Sequence, residues 1–301
     1  MAGADSTRAI LYALGANFAI AVTKYGAAAV TGSGAMLAEA VHSTADCANQ
    51  LLLLLGMRLA RKAPTPDYPL GFGKETYFWS FIVAIMLFSM GGLFSLHEGW
   101  TKLRSPEPLS YPLVALGVLG FGFCAELVSM WGVLREANKV RGGRSLWAWL
   151  RETRNSELVV VFGEDLAALL GLAIAFVAVL AAWLTGNVVY DALGSIGIGV
   201  LLLVIAVAVG VEVKAMLIGQ GVEPEVRRRM VEMLGAQPAV EKVFEVLTLH
   251  MGGDVMVAVK ARMRPQPDVD ALAEAINAVE VEFKSRFPEV RWVFFEPDIR
   301  D

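Results

Sequence analysis

His42 and Asp46 stand four residues apart in MLAEAVHSTADCANQLLLLLG, a stretch from Met36 to Gly56 that is apolar enough to cross a bilayer. On a helix that spacing sends both side chains from one face, a turn apart. A charged group at the bilayer centre costs about 2.5–3.5 kcal/mol on insertion scales, so it is rarely there without a partner or an ion. An imidazole and a carboxylate so placed are two good ligands for a divalent transition metal, although the pair could also merely bridge helices. Asn49 and Gln50 extend the polar stripe. A second constellation is VFGEDLAA, from Val161 to Ala168, in which Glu164 and Asp165 enter another apolar stretch. At about 100° per residue both acids reach the same helix interface. Two carboxylates at low dielectric repel unless a proton or a cation separates them, and a cation site is the economical reading. The alternative is a solvated pair at the membrane boundary. Together the four side chains offer one nitrogen and several oxygens, which suits zinc, manganese or ferrous iron. Glu126, in a further apolar stretch, needs a partner and is a candidate for the same pathway.

The elements that must position these groups are membrane helices. The chain is 56% hydrophobic and 19% charged, with a mean hydropathy of +0.55, too apolar for an ordinary soluble enzyme and without the basic excess of a nucleic-acid binder. No catalytic cofactor is called for: there is no HExxH and no nucleophile set beside a base. Cys47 and Cys124 both sit in apolar segments, which argues against a disulfide framework. The opening residues have no basic leader region, and the apolar stretch after them reads as a retained helix. Spans of about 20 residues are expected near 9–31 (broken by Asn17 and Lys24), 36–59, 76–98, 110–134, 158–184 and 189–213. Arg58, Arg61, Lys62 and Lys74 follow the second, and Arg135, Lys139, Arg141, Arg144, Arg151 and Arg154 follow the fourth. The positive-inside rule puts both loops, and with an even span count both termini, in the cytoplasm. Ser145–Leu150, SLWAWL, reads either as a short helix in the headgroup region or as a loop with buried tryptophans.

Beyond about residue 221 the periodicity changes. Pro224 opens a helix, 243–249 and 255–263 alternate as strands about a turn at His250–Asp254, 268–287 is a second helix and RWVFF a third strand. The fold class expected is therefore an α-helical membrane protein with six transmembrane helices in 1–220, plus a cytoplasmic α+β domain of ferredoxin-like kind in 221–301. So small a domain often needs a partner subunit.

AEAVHSTAD in the second span, GFGKE before the third, the acidic motif of the fifth and the α+β tail together resemble the cation diffusion facilitators. GEDLAALLG with HSTADCANQLLLLLG is similar to the branch containing the animal mitochondrial-type zinc transporter. The resemblance implies a homodimeric exporter of divalent metal ions, zinc first, driven by protons, in the cell (inner) membrane. It implies His42, Asp46 and Asp165 as metal ligands. Val161 stands where the family has a histidine, leaving Glu164 to substitute. A peripheral site is not expected, since Tyr68-Pro69-Leu70-Gly71-Phe72-Gly73 lacks the family's two imidazoles. In the tail the family's histidine pattern is replaced by Glu274-Ala275-Ile276, so only His250, Glu296 and Asp298 remain as plausible cytoplasmic ligands. His97 is expected to be interfacial. The lost histidine keeps alternative readings open, a non-transporting metal-binding scaffold or sensor.

Overall fold

A computed structural model describes residues 2–31, 34–105, 111–143 and 145–300, without the side chains of 2–9, 27–28, 30–31, 34–42, 45 and 140. His42 falls among these, so its side chain lies outside the described residues. The long helices are α1 (Ala2–Thr31), α2 (Gly34–Ala60), α3 (Glu75–Met86), α4 (Phe94–Arg104), α5 (Pro112–Val140), α7 (Ser156–Thr185) and α8 (Val189–Ile218), with a short α6 (Leu146–Glu152) before α7. α3 and α4 are one rod joined by a π-helical segment, Leu87–Leu93. Among the described residues four rods are long and apolar enough to cross a membrane: Glu75–Arg104, Pro112–Lys139, Ser156–Thr185 and Val189–Ile218. Their outward residues are those a bilayer accepts, for example Leu113, Val177, Leu184, Val204 and Ile218, all exposed. α1 and α2, at 30 and 27 residues, have the required length.

One apolar cluster shows how the rods run. Ile10 from the first half of α1 meets Leu53 and Met57 near the end of α2, Val83 of α3, Val133 and Ala137 near the end of α5, Leu158 and Val160 at the start of α7, and Val213 near the end of α8. Starts and ends that alternate around one cluster require consecutive rods to be antiparallel. Trp149 of α6 is buried in the same cluster, whereas Trp147 is exposed. SLWAWL is thus a helix with one tryptophan in the core and one outside. α1, α5 and α7 pack mutually. Gly163 allows close approach of α7 and α8, since a Cβ there would lie 2.6 Å from Val209 Cγ2.

The second unit holds 59–75, 152–154 and 215–301. In it α9 (Pro224–Gly235), β1 (Val240–Met251), β2 (Asp254–Met263), α10 (Val269–Arg286) and β3 (Val290–Pro297) follow in order. β1 pairs antiparallel with β2 and β3 parallel with β2, giving the sheet order β1-β2-β3. Val255, Val257, Val259 and Ala261 of β2 are buried alternately against Met230 and Leu234 of α9 and Val279 and Phe283 of α10. Gly252, at φ 75°, makes the β1–β2 turn, and Asp268 caps α10 by accepting from Ala271 N–H at 2.7 Å. The units divide the chain differently from a cut at 220. Residues 59–75 and 152–154 fall in the sheet unit, where Lys74 Nζ donates to Leu217 O at 3.4 Å and Arg154 Nε to Gly221 O at 3.0 Å.

Candidate metal centre

The central stretches of α1, α2 and α5 and the third turn of α7 bring polar side chains together. Asn155 caps α7 by accepting from Leu158 N–H at 3.1 Å. Glu164 and Asp165 then fall about 12 Å along its axis, well inside an apolar rod. Asp46 lies midway along α2, Glu126 midway along α5 and Asn17 midway along α1. These five side chains, with Leu87, Ala167, Ala168 and Leu202, line one cavity of about 60 Å³, room for a few waters or a partly hydrated cation. Polar sites at mid-depth of a helical membrane protein are where transported ions are bound in many folds.

The hydrogen bonds orient the acids and leave acceptors over. Asn17 Nδ2 donates to Gln50 Oε1 at 3.2 Å, and Gln50 Nε2 donates to Glu164 Oε2 at 2.9 Å. Ser129 Oγ donates to Asp165 Oδ2 at 2.7 Å. Asp165 and Gln50 are 2% and 0% exposed, so the solvated-boundary reading of Asp165 does not hold. Glu164 Oε1 and Asn49 Oδ1 are buried and lack a hydrogen-bond partner among the described residues. Buried acceptors without donors are costly and call for a cation or a proton. Glu164 and Asp165 have neutral partners, Gln50 and Ser129. A cation or a proton would satisfy the acceptor left over on Glu164.

Among the described residues no three His, Cys, Asp or Glu side chains converge tightly enough to enclose a metal ion, and His42 is not among them. Val161 is fully buried in the apolar cluster, so nothing at that position supplies a ligand. Asn17 and Ser129 are the members that sequence reasoning passed over. Asn17 was noticed only as a break in an apolar run, and Ser129 lies three residues beyond Glu126, hence on its face. Lys24, two turns beyond Asn17, is buried and donates to Ser43 Oγ at 2.9 Å.

The tail candidates are dispersed. His250 pairs in register with Val255, while Glu296 pairs with Lys260 on the same strand β2, five residues or roughly 17 Å away. Asp298 is engaged by Lys260 at 3.2 Å and accepts from Ile299 and Arg300 N–H. His250 Nδ1 lies 3.3 Å from Gly252 O across the hairpin turn, and burial holds its pKa below the usual histidine value. These three cannot form one site. His97 is exposed on α4.

The cation efflux transmembrane domain matches residues 10–218. The chain belongs to the cation diffusion facilitator family. Its members resembling this chain include the mitochondrial proton-coupled zinc antiporter SLC30A9 of Xenopus laevis, 34% identical over 80% of this chain and 42% of the relative. The human SLC30A9 antiporter is 29% identical over 88% of this chain and 54% of its own length. Zinc transporter ZitB of Escherichia coli is 26% identical over 91% and 82%. The chain spans about half the length of the SLC30A9 relatives. The resemblance to the animal mitochondrial type seen in GEDLAALLG and HSTADCANQLLLLLG is thereby established. This family is one of transporters and not an enzyme class, and its helical domain makes the chain an integral membrane protein.

Proposed function

We propose that this chain exports divalent metal cations, zinc foremost with manganese, iron or cobalt as alternatives, in exchange for protons. The observation that carries the reading is the mid-depth cavity lined by Asp46, Glu126, Glu164 and Asp165 from three helices, with Glu164 Oε1 buried and without a hydrogen-bond partner among the described residues. His42, Asp46, Glu164 and Asp165 act as ligands, and Asn49, Gln50 and Glu126 serve the pathway. His42 binds as neutral imidazole and the acids as carboxylates, so binding requires deprotonated ligands. When the helices rock to the opposite side, protons arriving there compete the metal off. The reading includes six spans, residues 1–220 as the transport domain, 221–301 as a ferredoxin-like dimerisation domain, a homodimer, cytoplasmic termini and a cell-membrane location. The zinc named in the relatives' descriptions supports the choice of cargo.

Flux of zinc, manganese, ferrous iron and cobalt into proteoliposomes under an imposed pH gradient, beside the Asp165→Ala protein, tests it. Gradient-dependent flux that collapses in the variant is expected. Preference for manganese or iron keeps the mechanism and changes the cargo. A second reading, a metal-binding scaffold or sensor without flux, is favoured by the apolar, buried Val161. Metal binding with no flux from folded protein decides for it.

A further inference from the structure

Three times the chain repeats Trp-x-x-Leu-Arg: Trp100 to Arg104, Trp131 to Arg135 and Trp147 to Arg151. All three copies are helical and lie toward the C-terminal end of α4, α5 or α6, where a cation is favoured by the helix dipole. The i,i+4 spacing puts indole and guanidinium on one face. In every copy they stack, with the arginine Cζ 4.8, 5.3 and 4.7 Å from the ring centre. The tryptophans are 51%, 57% and 65% exposed, while the leucine between is partly buried in each. Neighbouring lysines behave differently: Lys102 meets Asp191 at 3.0 Å and Lys139 meets Glu136 at 2.6 Å. Among the described residues the three arginines have ring contacts and no ion pair.

We infer that these three Trp–Arg pairs are binding sites for the headgroups of anionic phospholipids. Exposed indoles on a membrane protein sit at headgroup level, where phosphates are found. A guanidinium whose face is covered by an indole still presents its N–H edge, a fork that matches two oxygens of a phosphodiester. The leucine anchors the pair to the bundle and the stack limits the arginine's freedom, so little order is lost on binding. With no carboxylate among the described residues bonded to them, the guanidiniums have their charge available for a lipid anion.

The test uses the full chain reconstituted in bilayers of equal phosphatidylglycerol and phosphatidylcholine, with the retained lipid counted by native mass spectrometry. Phosphatidylglycerol should be enriched about fivefold for each arginine site. Arg104→Gln, Arg135→Gln and Arg151→Gln together should bring the retained ratio back toward that of the bilayer. Lysine replacements, which keep charge but lose stacking and the fork, should fall between. If the triple variant does not fold, the single variants each losing one share carry the same expectation. Equal retention of the two lipids by the unmodified protein overturns the inference without any variant. So does enrichment that survives all three substitutions, or that falls equally in Arg229→Gln, a change on α9 of the sheet unit.

Discussion

The acids of the helical unit and those of the sheet unit are the same residues in opposite circumstances. Asp254 meets Arg291 at 3.0 Å, Glu241 meets Arg262 at 3.3 Å and Asp298 meets Lys260 at 3.2 Å, all in contact with water. Such surface pairs contribute little and constrain little. Asp165 is shut from water with a serine for a partner, and Glu164 has a glutamine on one oxygen and no hydrogen-bond partner among the described residues on the other. The difference teaches that the surroundings of an acid, and not its type or number, decide whether the protein itself neutralises it. In those sheet-unit pairs neutralisation is internal, whereas Glu164 and Asp165 have neutral partners among the described residues.

The sharpest way to break the contrast is at its centre. Asp165→Ala and Asp46→Ala should each lower metal affinity by more than the 10–100-fold typical of losing an outer partner of a metal site, measured by flux and by equilibrium metal binding. Glu296→Gln or Asp298→Asn should leave both unchanged, and an equal loss there would erase the distinction between the units. The sheet unit should instead respond to its core. Phe283→Ala, which removes a fully buried ring between α10 and the sheet, should destabilise that unit by about 3–5 kcal/mol in denaturant melts, with metal affinity of the folded protein retained. Gln50→Leu tests the relay from Asn17 to Glu164. It frees Glu164 Oε2 without removing the ligand, and an affinity loss of about 10–100-fold is expected.

The smallest effect concerns protons. Burial lowers the pKa of His250 below its ordinary 6.5, so between the folded and unfolded values the unfolded chain binds more protons. Stability is then complete above pH about 6.5 and is lost as pH falls from there through the depressed folded value. A melting temperature that declines over this window, and declines less in His250→Asn, would agree. A decline of equal size in the variant would remove His250 from the account.

Much of this was legible in advance. Apolar runs mark where α3 with α4, α5, α7 and α8 run, because a membrane rod must be apolar for its whole length. Alternation at Val255, Val257 and Val259 marks β2, and a proline marks the start of α9. His42, Asp46, Glu164 and Asp165 stand out because ionisable residues are conspicuous against leucine and valine. The π-helical turn at Leu87–Leu93 was not legible, since its residues are as apolar as their neighbours and only the backbone register differs. Nor was Ser129 as the partner of Asp165, or the place of 59–75 and 152–154 in the sheet unit, because these depend on which faces of separate elements meet.

Sequence alone therefore determined the family, the membrane class and the residue types with metal chemistry, because composition, spacing and motif are local properties. Tertiary structure alone decided that Asn17, Asp46, Glu126, Glu164 and Asp165 share one cavity while His250 on β1 and Glu296 on β3 face β2 five residues apart. Convergence of side chains from different helices follows from packing and register, which no single stretch of chain contains.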